Sequence, residues 1–130
     1  GVKILIEPLN ANDNPEYFLT TAAQANALLT RANHDNLFLQ YDLYHAGMNG
    51  ENVIDGARTY LNIIDHIQMA GVPERHEPDT GTVNMLAAFD AIDVLGYEGW
   101  IGAEYRPSRS TAESFIWGTP YGIGPRTPSP

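Results

Sequence analysis

The sequence predicts an α/β fold of four successive βα units, on three observations. Four short apolar runs recur at near-regular spacing: VKILIEP (2–8), NLFLQYD (36–42), IIDHIQMA (63–70) and GWIGAEY (99–105). Segments of helical period lie between them. Each run ends near a polar side chain with an oxygen ligand, namely Glu7, Asp42, Gln68 and Glu104. Strands that alternate with helices are joined by right-handed crossovers and form a parallel sheet. Four βα units are half of a (β/α)8 barrel. A full barrel takes about 250 residues, so the 130 residues here are too few to close one alone.

Each helical segment carries its own signals. In the first, Phe18, Ala22, Ala25, Leu28 or Leu29, and Ala32 repeat at three and four residues, and the polar run 33–36 breaks the pattern. In the second, about 50–62, Val53, Ile54, Ala57, Tyr60 and Leu61 share a face. In the third, Asn84 is placed to cap a stripe of Met85, Ala88, Phe89, Ile92 and Leu95, and Gly96 is a stop signal. A fourth starts at Ser110, with Glu113 three residues on as the partner of a capping box. Trp100 and Ile101 on the last strand are expected in the core, and Tyr41, Tyr44 and Tyr105 to serve packing or line a pocket. The domain is expected to run over 1–118, with 119–130 a Pro-rich flexible tail.

Composition narrows the function. Apolar residues make up 43% of the chain, enough for a core, and no apolar run is long enough to span a membrane. The net charge is −9 with only seven Lys and Arg, which argues against nucleic acid or an anionic membrane as partner. Cysteine is absent and the first residues lack a signal-peptide pattern, so a cytoplasmic location is expected. The chain opens on Gly without Met, straight into a strand-like run, which reads as a truncated start.

In parallel sheets, function collects at the carboxyl ends of the strands. That is where Glu7, Asp42, Gln68 and Glu104 fall. One acid at a strand end commonly marks only where the strand meets water. Four oxygen ligands at corresponding positions, three of them carboxylates, would repel one another without a cation. Oxygen-rich sets suit a hard divalent ion, Mg2+ or Mn2+, rather than Zn2+. His45, three residues after Asp42, can hydrogen-bond a hydroxyl or carbonyl oxygen. Arg75, in the loop after the third strand, can hold a carboxylate bidentately. Both suit a small, oxygenated, anionic substrate.

The stretches ILIEPLN, LQYDLYH, HIQMAGVPERHEPDTGTVN and GYEGWIGAEYRP occur in order at suitable spacing. Through them the chain, from about residue 3 to Trp117, resembles the C-terminal half of the hydroxypyruvate isomerase family. These are xylose isomerase-like TIM barrels, a group that also includes sugar 3-epimerases and 2-oxo-tetronate isomerases. The resemblance implies that this chain covers about the last four βα units. It implies a metal held by Glu7, Asp42, Gln68 and Glu104, with Glu7 and Glu104 as the acid/base pair and His45 and Arg75 on substrate. The implied reaction is hydroxypyruvate to tartronate semialdehyde. A ketose 3-epimerase, a 2-oxo-tetronate isomerase, and a non-catalytic half-barrel that self-associates are the alternatives. Edge strands at Ile4 and Ile101 would lack neighbours, so a homo-oligomer or completion by the other half barrel is expected.

Overall fold

The computed structural model describes residues 1–124. Four strands, β1 (Ile4–Ile6), β2 (Leu37–Asp42), β3 (Ile64–Met69) and β4 (Trp100–Ala103), lie side by side in sequence order. All neighbours are parallel, and Asp42, Gln68 and Gly102 fall in one row across β2, β3 and β4. Helices α1 (Ala22–Ala32), α2 (Leu43–Met48), α3 (Val53–Tyr60), α4 (Met85–Val94) and α5 (Thr111–Ser114) fill the connections. Short 3-10 segments follow α3 (Leu61–Ile63) and α5 (Phe115–Tyr121). Among the described residues no helix is long and apolar enough to cross a membrane.

One face of the sheet is covered. Leu39, Tyr41, Ile64, Ile67 and Met69 are buried there, in one core with Ala25 and Leu29 of α1, Val53 and Ala57 of α3, and Ala88 and Ile92 of α4. A register shift at Leu39/Gln40 pairs Leu39 with Ile64 but Gln40 with His66, so Asp65 is an extra residue. That bulge lets Ile64 and Ile67, three residues apart, both reach the core. The alternate residues of the strands face the other way and are mostly polar: Gln40, Asp42, His66 and Gln68. Trp100, in register with His66, belongs to this second face and is 84% exposed. The expectation that it sits in the core is corrected: four strands do not curl into a ring, and on β4 the Trp100 side chain stays open on this face among the described residues. Ile101, one residue on, is half-buried against the core.

Helix boundaries follow capping chemistry. α1 begins at Ala22, not near Phe18, because Thr21 and Gln24 form a capping box; Phe18 lies outside the helix, exposed. α3 is capped by Asn52 and ends in the 3-10 turn at 61–63. α4 starts where expected, with Asn84 accepting from the Ala87 N–H at 3.0 Å, and Gly96 takes φ +75 after it. Ser110 caps α5, its hydroxyl also reaching the Glu113 carboxylate. The helix lasts one turn before giving way to the 3-10 segment. In that segment Tyr121 packs edge-on against Phe89 at 5.6 Å, and the Ile123 N–H donates to the Gly118 carbonyl. Residues 125–130 lie outside the described residues.

Candidate active site

Asp42 ends β2 and at the same time caps α2, its Oδ1 accepting from the Tyr44 N–H at 2.7 Å. This double use starts a six-residue helix directly on the strand end. It places His45 in the first turns of that helix, with Nε2 3.8 Å from Asp42 Oδ2. Glu7, one residue past β1, completes a group: Glu7, Asp42 and His45 each offer a ligand atom, all within 4.8 Å of one another. Asp42 and His45 are only 3% exposed. Glu7 Oε1 and Asp42 Oδ2 are buried without any hydrogen-bond partner. Two orphaned carboxylate oxygens side by side are costly unless a cation takes them. The donor set therefore fits a hard metal ion, and the three residues could hold one.

Gln68 stands one strand over, in register with Asp42, and its Oε1 accepts from Gln40 Nε2 at 2.6 Å. The Gln40 amide also works against burial at Glu7, lowering its carboxyl pKa. Glu104 stands apart from the buried group. Its Oε2 is taken by Arg75 Nη2 at 2.9 Å, and its side chain is 54% exposed. It still acts on Glu7 and Asp42 through its charge. Arg75 also lies over the Tyr44 ring at 4.8 Å.

The loop that carries Arg75 is held by its backbone. Val72 O accepts from the Thr82 N–H at 2.7 Å, and Arg75 itself bonds Gly71 and Arg106 through its main chain. Gly81, at φ +91, lies so close that a Cβ there would meet Val72 O at 1.9 Å. Arg75 adopts φ +57, a conformation that is uncommon outside glycine.

Burial and like charges set the protonation states. Desolvation, reinforced by Glu7 and Glu104, pushes the Asp42 carboxyl up to about 7, against the Tyr44 N–H and Arg75. Desolvation also raises Glu7. Burial and the Arg75 charge pull His45 down to about 4, so its imidazole is neutral at pH 7. Asp13 is lowered, chiefly by its hydrogen bond from Asn10.

The matching family model, covering residues 1–120, is that of the xylose isomerase-like TIM barrel. The chain belongs to the xylose isomerase-like TIM barrel family. A 2-oxo-tetronate isomerase of Cupriavidus necator is 44% identical over 121 residues, which are 93% of this chain and 46% of that protein. A Xenopus laevis protein named "Putative hydroxypyruvate isomerase" is 40% identical over 119 residues, 90% of this chain and 43% of its own length. The crystal structure of a Brucella melitensis protein named AP endonuclease, family 2, superposes with a TM-score of 0.89 at 37% identity, covering 93% of this chain and 47% of that one. The chain spans less than half the length of each of these relatives.

Sequence pattern alone did not single out Asn10, Asp13 or Gln40. Asn10 is fully buried against His45, and Asp13 accepts from the Tyr44 hydroxyl at 2.8 Å. Gln40 did carry a signal, since it sits two residues before Asp42 and strand alternation puts both on one face. Asn10 and Asp13 carried none, because their loop between Glu7 and α1 has no period.

Proposed function

We propose that this chain supplies one wall of an isomerase site that moves a proton between adjacent carbons of a small hydroxy-carbonyl acid, with hydroxypyruvate and tartronate semialdehyde as the pair. The observation that carries this reading is the pair of unpartnered buried oxygens, Glu7 Oε1 and Asp42 Oδ2, facing a site bordered by Glu104 and Arg75. Glu7, Asp42, Gln68 and Glu104 would hold Mg2+ or Mn2+ there. Such an ion supplies positive charge where an enediolate gathers negative charge.

The chain's own groups would do the rest. A carboxylate, Glu7 or Glu104, takes a proton from the carbon bearing the hydroxyl, and the other returns one to the neighbouring carbonyl carbon. The hydroxyl proton passes to the second oxygen, so the substrate is isomerised with no net oxidation. Arg75, which pairs with Glu104 and lies over the Tyr44 ring, would receive the substrate carboxylate.

The 44% identity to a 2-oxo-tetronate isomerase favours a second reading, in which the substrate is a four-carbon 2-oxo acid of the same chemistry. A net charge of −9 argues against DNA, the substrate that the name of the Brucella protein suggests. The test is deuterium incorporation from D2O into hydroxypyruvate, a 2-oxo-tetronate and a ketohexose, in the assembled protein and its Glu104→Gln variant. Exchange with an acid substrate, lost in the folded variant, is expected. Undiminished exchange in Glu104→Gln sinks the acid/base assignment, and exchange with the ketohexose alone makes the protein an epimerase.

A further inference from the structure

Asn10 sits in the loop after β1 with no exposed surface. Two partners of fixed role orient its amide. Oδ1 accepts from the Asp13 backbone N–H at 2.9 Å, and Nδ2 donates to Asp13 Oδ2 at 2.9 Å. A backbone N–H can only donate and a carboxylate can only accept, so the two ends of the amide cannot be exchanged. The second hydrogen of Nδ2 is left for His45 Nδ1, 2.7 Å away. The Asn10 backbone N–H also donates to Nδ1, at 3.1 Å. A ring nitrogen that faces two N–H donors must be the lone-pair nitrogen. The proton of the neutral imidazole is then on Nε2.

We infer that Asn10 is a positioning residue that locks His45 as its Nε2–H tautomer, so that the imidazole offers the site a hydrogen-bond donor rather than a third metal ligand. A metal-ligating His typically donates its far N–H to an acceptor; at His45 the far nitrogen meets donors instead. Nε2 lies 3.8 Å from Asp42 Oδ2, too long for a hydrogen bond. It remains available to an oxygen of a bound molecule. Glu7 and Asp42 keep their place as ligand carboxylates, and His45 discriminates for an oxygen that accepts. What that oxygen belongs to rests on the function proposed above; the tautomer does not.

The test is a long-range proton–nitrogen correlation spectrum of the protein labelled with 15N-histidine, near neutral pH, with His45→Gln to assign the signals. Nδ1 of His45 is expected at the shift of an unprotonated ring nitrogen and Nε2 at that of a protonated one. Addition of 113Cd2+ is expected to produce no coupling to either nitrogen of His45. A protonated Nδ1 in the unmodified protein, or a resolved coupling from 113Cd to Nε2, overturns the inference. If Cd2+ does not bind at all, the metal reading fails while the tautomer is still decided by the first spectrum. In Asn10→Asp the side chain facing Nδ1 changes from donor to acceptor while the backbone N–H remains, and the ring is expected to shift part of its population to the Nδ1–H tautomer. A folded Asn10→Asp protein whose His45 Nδ1 and Nε2 shifts match those of the parent shows that the side chain does not set the tautomer, and also overturns the inference.

Discussion

Asp42 carries three demands on one side chain: it ends a strand, caps a helix and leaves one oxygen buried and unpaired. Its raised pKa and the lowered pKa of His45 give opposite signs to stability. A buried acid with a raised pKa stabilises the fold when protonated. That contribution is present below 3.8 and lost as pH rises through about 7. A buried His with a lowered pKa stabilises when neutral. That contribution is present above 6.5 and lost as pH falls through about 4. The two oppose each other between about 4 and 6.5, and above 6.5 only the Asp42 effect remains. Metal-free protein should therefore lose stability from pH 6.5 to 8 in denaturant titrations. Asp42→Asn keeps a good cap and removes the buried charge. It should flatten that slope and add on the order of 2 kcal/mol at pH 8. A variant less stable than the parent at pH 8 would show that the charge is not the burden described.

At this scale the neighbourhood of Asp42 and Gln68 was legible because alternation and strand length bring them to one row, with Glu7 near Asp42, whereas Glu104 stands apart on Arg75. Asn10 was not, since its role depends on a loop conformation and on a ring placed by a helix that had no signal of its own. That helix, α2, marks the limit at the scale of elements. Six residues are too few to show a period, and its cap was already occupied in the reading as a strand end. α4 was legible because stripe, cap and stop signal agree over one stretch, and the structure buries Met85, Ala88, Phe89 and Ile92 accordingly. At α1 the stripe alone suggested a start near Phe18, and the cap at Thr21 decided otherwise. Where cap and period disagree, the unsatisfied N–H groups of the first turn outweigh one more apolar position on the surface. The bulge at Asp65 was equally hidden, because adding a residue to one strand leaves no mark in composition.

The whole molecule is a sheet with one covered face. Among the described residues β1 and β4 are open edges, and Val2, Ile4 and Trp100 stand largely exposed on or beside them. Open edges with apolar side chains favour pairing with another chain. The half-barrel count was legible from four units of strand and helix. The exposure of Trp100 was not, because burial in a barrel is shared between halves and a sequence pattern does not say which wall is present. In light scattering this chain alone is expected to self-associate, and charged substitutions at Ile4 and Trp100 to reduce the association. A monomer at all concentrations would contradict the expectation that these edges seek a partner.

The central claim is that the strand ends of this chain converge on a cation. Titration of Mn2+ with the chain, followed by the EPR signal of the free ion, tests it most directly, with Asp42→Asn as the comparison. The free-ion signal should fall as chain is added, and the substitution should weaken binding by about tenfold or more. A free-ion signal that persists beside folded protein, or a titration that Asp42→Asn leaves unchanged, would mean that Glu7 and Asp42 do not hold a metal.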